Sequence, residues 1–307
     1  LENARDAAVI EGSSIGFEQR RLDGLKINAA GFTNFTRDHL DYHGSMEEYY
    51  RCKTLLFSRI MRNGVAVLNS DIPEYDNLRQ ICKREGHDII SFGKTGDLKL
   101  LDMKPTHDGQ QVKISVMGEK SEHRIPLVGS FQTYNILCAL GLVIGCGMAK
   151  KVATSFIDKL VSIPGRMEHA TEGVYVDYAH TPDALENALK SLRPHTKGKL
   201  FVVFGCGGDR DKGKRPQMGK IASDLADIAI VTDDNPRTEE PAQIRKEILA
   251  ASPKAIEIGD RTEAIKHAMA EMKQGDILLI AGKGHEKYQI YGTEKTHYDD
   301  VEVVRNI

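Results

Sequence analysis

The 307-residue chain sets 42 lysines and arginines against 44 aspartates and glutamates, a formal net charge of −2, with 40% hydrophobic and 28% charged residues. That mixture is long enough for about two domains of ~150 residues, each with a real core. The near-neutral balance argues against a nucleic-acid binder held by bulk charge. No apolar run approaches the ~18 residues of a membrane span, and LENARDAAVI lacks the basic-then-apolar design of a secretion signal.

In chain order, residues 1–10 and the AAVIE run that ends at Glu11 read as a buried strand leading into a loop. KINAAGFTN (26–34), GVAVLNS (64–70), DIISFG (88–93) and KISVMG (113–118) are further strand candidates. A helix is predicted from Ser45 to about Met61, with Ser45 and Glu48 spaced as a capping box. QTYNILCALGLVIGCG fits a second helix, which Gly141 and Gly145 weaken. SIPGRME (162–168) reads as the linker, because Pro-Gly breaks both helix and strand.

From Val174 strands and helices alternate. VYVDYAH precedes TPDALENALKSL, KLFVVFG precedes KRPQMGKIASDLA, and IAIVTDDN precedes PAQIRKEILA. KAIEIGD precedes RTEAIKHAMAEM, and DILLIAG closes the series. Buried strands alternating with amphipathic helices imply a mostly parallel, doubly wound α/β sheet with helices on both faces. The unusual groups share one address, just past strand C-termini: Asp177 and His180, Gly205–Arg210, Asp234–Arg237 and Gly282–Glu286. In open α/β sheets that edge is where ligands bind.

One residue breaks its pattern. The helix from Ser45 places Met46, Tyr49, Tyr50, Leu56, Phe57 and Ile60 on one apolar stripe, and the missing i+7 member is Lys53. A lysine there can snorkel to water. It can also point inward, beside the upstream cluster Arg37, Asp38, His39, Asp41 and His43. Burial lowers an amine's pKa, and a neutral amine can take up carbon dioxide as a carbamate, an oxygen donor suited to Mg²⁺. The five cysteines are odd in number and form no CxxC pair; they read as reduced thiols of a cytoplasmic protein.

VIEGSSIGFEQRRLDG, TNFTRDHLDYHG, YYRCKTLLF, PGRME, VDYAHTPDALENAL, VFGCGGDRDKGKRPQMG, VTDDNPRTEEP and AGKGHEKYQ together resemble the Mur ligase family, in matching order and over essentially the whole chain. The resemblance implies an ATP-dependent amide ligase of cytoplasmic peptidoglycan-precursor synthesis. Its small-molecule substrates would be ATP, a UDP-muramoyl dipeptide and meso-diaminopimelate, with no nucleic acid and no membrane as partner. It implies a Mg²⁺ site made by Glu11, His39 and carbamylated Lys53, with His43 in a supporting place. Ser13, Gln19 and Arg21 would contact the UDP-substrate, although Ile15 stands where the family pattern E-x-S-S-H has histidine. Asn135, Arg166, Asp177 and His180 match positions near ATP. Arg210, Asp234, Asn235, Arg237, Gly282 and Glu286 match positions that hold the incoming amino acid. The second head group of diaminopimelate has a carboxylate that wants an arginine fork, and Asp-Asn-Pro-Arg therefore argues against a lysine-adding enzyme.

The family's G-x-x-x-x-G-K-[ST] phosphate loop does not occur in these 307 residues; FGKTG lacks the earlier glycine. The expectation is a Mur-ligase central, ATPase-type domain over 1–163 lacking its N-terminal half, then a Rossmann-like amino-acid-binding domain over 164–307. Pro164-Gly165 would be the hinge, and these 307 residues alone would turn over little. A related amide ligase such as a folylpolyglutamate synthase, or a non-catalytic binding fragment, is the competing reading.

Overall fold

The computed structural model describes residues 7–106 and 109–307. Two six-stranded sheets follow one another along the chain. The first begins with helix α1 (Ser14–Glu18) and strand β1 (Ala29–Phe32), followed by α2 (Leu40–His43) and α3 (Met46–Leu55). Then come β2 (Val65–Asn69), α4 (Tyr75–Arg84), β3 (Asp88–Gly93), β4 (Leu98–Thr106), β5 (Gly109–Val116), β6 (Glu119–Ile125), α5 (Ser130–Gly145) and α6 (Lys150–Thr154). The strands lie in chain order, parallel from β1 to β4 and antiparallel from β4 to β6.

β2 is apolar from Val65 to Leu68 because both faces are covered. Val67 meets the α5 side, whereas Ala66 and Leu68 join Phe57, Leu78 and Cys82 on the other. The two glycines of α5 allow this close approach. A Cβ on Gly141 would come within 2.5 Å of Val67 Cγ1, and one on Gly145 within 3.0 Å of Val65. They permit the helix to lie on the sheet rather than break it. We therefore expect Gly141→Ala to destabilise by about 1–3 kcal/mol, since overpacking exceeds the ~1 kcal/mol gained in helix propensity. A lower urea midpoint at unchanged slope is the measurement that checks it.

The helix from Ser45 forms with Ser45 Oγ accepting the Glu48 N–H at 3.2 Å. The Glu48 carboxylate turns to Arg51 (2.6 and 2.8 Å), so only half of the expected capping box is used for capping. The last stretch, Leu56–Ile60, is a π-turn that ends at Met61. The AAVIE expectation is corrected. Residues 1–6 of the expected strand lie outside the described residues, and from Ala7 to Ser13 the chain is irregular, with Val9 96% exposed. A strand buried on both faces needs ladder partners and covers, and among the described residues only β2 pairs with β1.

The second sheet contains β7 (Glu168–Thr171), β8 (Val174–Asp177), β9 (Leu200–Phe204), β10 (Ile228–Val231), β11 (Ile256–Glu257) and β12 (Ile277–Ala281). Its order is β11-β10-β9-β12-β8-β7, all parallel save β7. Helices α7 (Pro182–Leu192), α8 (Lys214–Leu225) and α9 (Pro241–Leu249) cover one face, and α10 (Arg261–Glu271) covers the other. The series does not close at β12. A hairpin, β13 (Tyr288–Tyr291) with β14 (Glu294–His297), and α11 (Asp300–Arg305) follow. α11 is fixed by a fully buried fork from Arg261 to Asp300, at 2.8 and 2.9 Å. The alternating apolar signal ends at DILLIAG because the hairpin's strands are only four residues each and β14, EKTH, is exposed and polar. No described helix is long and apolar enough to cross a membrane.

The two sheets touch. Val128, just before α5, belongs to the core of the second sheet, and Phe131 packs against it. Across the same junction Arg37 forks onto Asp211 at 2.8 and 3.1 Å. Strand C-termini of the second sheet therefore face the β1–α3 segment of the first.

Candidate functional site

Three groups of side chains carry the candidate site, the first two in contact across that junction through Asp38 and His180. The first surrounds Lys53. Its amine lies over the rings of Tyr49 (5.3 Å) and Phe32 (5.6 Å), and no hydrogen bond or ion pair holds it among the described residues. Burial lowers its pKa against the pull of the Asp38 and Glu11 carboxylates. His39 meets the edge of the same Tyr49 ring at 6.1 Å. His39 has φ 53°, a left-handed backbone that a non-glycine residue adopts at a cost. Asp38, which the sequence places in the cluster beside Lys53 without a ligand role, is central: His39 stands 3.5 Å from it and His180 of the second sheet 3.8 Å. Burial raises the Asp38 carboxyl, but the His180 contact and the His39 charge pull it down to about 2. An amine of lowered pKa that feels the Asp38 and Glu11 charges fits an oxygen-seeking cation, with Lys53 supplying oxygens once carbamylated.

α1 stands beside this group. Ser13 caps it, its Oγ accepting the Gly16 N–H at 3.0 Å. Gln19 donates to Tyr42 and accepts from Arg21, so Gln19, Arg21 and Tyr42 form one exposed polar run. Ile15, half-buried, occupies the position of the family histidine. His43 is buried, bonded to Ser14 and stacked on Tyr49 at 5.3 Å.

The second group gathers on Tyr178. The Arg166 guanidinium lies 4.8 Å from its ring centroid, with His180 at 4.5 Å and His285 at 5.0 Å. His180 is held by the Tyr178 carbonyl at its Nδ1, and Lys214 donates to the His180 carbonyl. Asp177 ends β8 and accepts the Met167 N–H at 2.7 Å. Burial pushes its carboxyl up to about 6, against the Met167 bond and Arg166. Between pH 4 and 6 the folded state then holds more protons at Asp177 than the unfolded chain, so stability falls as pH rises through that window. Asp177→Asn should flatten this part of the profile, read from thermal melts at stepped pH. Asn135 stands apart. It is exposed on α5, its amide donating to Gln132, and it lines an apolar cleft of ≈370 Å³ with Leu140, Phe156 and Ile163.

The third group lies past β9, β10 and β12. Lys283 is fully buried, its Nζ donating to Asn235 Oδ1 (3.1 Å) and Glu286 Oε2 (3.2 Å). Asn235 Nδ2 also donates to Glu286 Oε2, at 2.8 Å. A buried ammonium so paired is tolerable, and it fixes both partners. Sequence reading left Lys283 in the Gly-Lys-Gly-His-Glu string without a role. The Asp234 carboxylate faces Gly282 and takes no hydrogen bond from the described residues; a Cβ on Gly282 would sit 2.7 Å from its Oδ2. Arg237 has φ 54° and donates Nη1 to the Gly208 carbonyl at 2.8 Å. Its backbone is stitched to the hairpin by Arg237 N–H to the Ile290 carbonyl and Gly292 N–H to its own carbonyl. Gly208 makes this crossing possible: a Cβ there would lie 1.8 Å from the Pro236 carbonyl oxygen. Arg210 is exposed at the rim and donates to the Asp209 carbonyl.

Comparison with known proteins accords with this geometry. Residues 1–143 match the Mur ligase middle domain, and residues 165–284 match the Mur ligase glutamate ligase domain. UDP-N-acetylmuramoyl-L-alanyl-D-glutamate–2,6-diaminopimelate ligase of Caulobacter vibrioides is 49% identical over 95% of this chain and 62% of its own length. The protein of the same name from Zymomonas mobilis is 48% identical over 97% and 63%. A solved structure under that name superposes with a TM-score of 0.60 at 38% identity, over 96% of this chain and 63% of the other. A folylpolyglutamate synthase of Mycobacterium tuberculosis gives 0.69 at 20% identity, over 83% and 61%, a likeness of fold. The chain thus spans somewhat under two thirds of the length of these curated relatives.

Proposed function

The chain belongs to the Mur ligase family, and on that premise we propose that its residues serve an ATP-dependent amide ligase that adds meso-diaminopimelate to a UDP-muramoyl-L-alanyl-D-glutamate acceptor in the cytoplasm. In that reaction an oxygen of the D-glutamate γ-carboxylate attacks the γ-phosphorus of ATP and ADP leaves. The amine of diaminopimelate then attacks the acyl phosphate carbon, phosphate departs, and the nitrogen loses its proton to give the amide. Such chemistry needs positioning and charge neutralisation more than acid–base work.

The observation that carries the reading is the preset pocket of Asp234, Asn235, Arg237, Lys283 and Glu286. Lys283 already neutralises one Glu286 oxygen, so we assign the ammonium of the distal head group to Asp234 and the remaining Glu286 oxygen. Nε and Nη2 of Arg237, free of the Gly208 bond, receive its carboxylate. Arg210 at the rim adds positive charge, and Gly282 leaves room for Asp234 to turn. Asn135 and its apolar cleft suit the adenine, with Arg166, Asp177 and His180 beyond it. Ser13, Gln19 and Arg21 meet the UDP-substrate. Glu11, His39 and Lys53, joined by Asp38, would hold Mg²⁺, which offsets repulsion between phosphate and carboxylate when bound. The contact of Asp38 with His180 and of Arg37 with Asp211 supports the view that these two sites act as one. We divide the chain into domains over 1–163 and 164–307, with Pro164-Gly165 as the hinge.

Phosphate release by the full-length enzyme, with the UDP-dipeptide and ATP, tests this. Turnover is expected with meso-diaminopimelate and not with L-lysine or a folate acceptor. Release with lysine in its place would overturn the assignment. The 307 residues by themselves, without a glycine-rich phosphate loop, should bind diaminopimelate in calorimetry yet release little phosphate.

A further inference from the structure

We propose that Glu18, His43 and Cys52 form a binding site for a thiophilic divalent cation of the zinc class, separate from the oxygen-donor set at Lys53. One ligand atom from each residue lies within 4.8 Å of the other two, and the three residues come from α1, α2 and α3. His43 and Cys52 are buried, Cys52 completely. Glu18 Oε2 is shut off from solvent and has no hydrogen-bond partner. A buried carboxylate oxygen left unsatisfied is costly, and a cation between the three groups removes that cost.

The surroundings prepare each ligand. His43 Nε2 lies 2.9 Å from Ser14 Oγ, and the ring stacks on Tyr49. With that nitrogen's proton given to Ser14, Nδ1 is the free lone pair, the arrangement usual for a metal-bound imidazole. The Cys52 thiol donates to Glu48 Oε1 at 3.6 Å, and the Arg51 guanidinium stands 3.5 Å from the sulfur. Burial holds the Cys52 thiol protonated against the Arg51 charge, and a metal releases that proton on binding. Bond lengths of about 2.0–2.3 Å imply ligand-to-ligand edges of roughly 3.5 Å, so a modest inward turn completes three corners of a tetrahedron. Glu48 or water supplies the fourth. A sulfur, nitrogen and oxygen set selects zinc over Mg²⁺. Such an ion would pin together α1, which Ser13 and Gln19 flank, α2, which His39 precedes, and α3, which carries Lys53.

Cobalt(II) titration of the chain in a Cys146→Ser background, which removes the exposed thiol, reads the site directly. One equivalent should bind with a thiolate-to-cobalt charge-transfer band that zinc abolishes and Lys53→Ala leaves intact. Cys52→Ser should remove the band. Glu18→Gln should weaken binding at least about tenfold and Ser14→Ala by about 10–100-fold, the usual range for a partner that orients a ligand. Circular dichroism confirms that each variant is folded. Absence of the band in the parent, its survival in folded Cys52→Ser, or unchanged affinity in folded Glu18→Gln overturns the proposal.

Discussion

Replacing Lys53 with alanine is expected to reduce amide ligation by the full-length enzyme by at least about a hundredfold, the scale of losing one preorganised electrostatic group. Excess bicarbonate should not restore it. Two physical roles compete at this position. As an ammonium, Lys53 would contribute cation–π contacts with Tyr49 and Phe32, worth about 0.5–2 kcal/mol. As a neutral amine it can take up carbon dioxide, and burial moves its pKa in that direction. Lys53→Met separates the roles, since it keeps most of the stem's packing and loses the nitrogen. Activity near the parent level in Lys53→Met would reject the carbamate role. The chain itself allows a second readout. With ¹³C-bicarbonate, a carbamate carbon resonance is expected in the parent and not in either variant.

The apolar stripe of the helix from Ser45 makes Lys53 legible in the sequence, because helical spacing alone places it among Tyr49, Tyr50, Leu56 and Phe57. Spacing could not reveal Asp38 as its electrostatic partner. That depends on the chain turning through His39 with a left-handed backbone and on His180 arriving from the other sheet, neither of which has a local signature. Lys283 was hidden for a related reason: a lysine between glycines reads as a solvated loop charge, and only the fold sets it on Asn235 from 48 residues away. The alternation of the second sheet is legible because β8, β9, β10 and β12 are buried on both faces. β4 and β6 are not, since half their side chains meet solvent and LKLLDMKPT and EKSEHRI contain no continuous apolar run. AAVIE misled in the opposite sense: apolar composition alone does not make a strand where no ladder partner lies beside it.

Arg237→Ala is expected to raise the KM for meso-diaminopimelate well over tenfold while leaving the KM for ATP close to its parent value. Truncating one side of a desolvated arginine–carboxylate pair costs about 2–5 kcal/mol, and each 1.4 kcal/mol is a factor of ten. Part of the guanidinium is already committed, because Nη1 holds the Gly208 carbonyl. That bond aims the opposite edge of the fork, and the strained φ of 54° is kept by the ladder to Ile290 and Gly292. Arg237→Lys should therefore fail almost as badly as alanine, since a single ammonium cannot hold the Gly208 carbonyl and a substrate carboxylate at one time. An outcome in which lysine rescues binding would mean that Arg237 supplies only charge, and a rise well under tenfold in the alanine variant would mean that the distal carboxylate lies elsewhere, with the exposed Arg210 as the next residue to truncate.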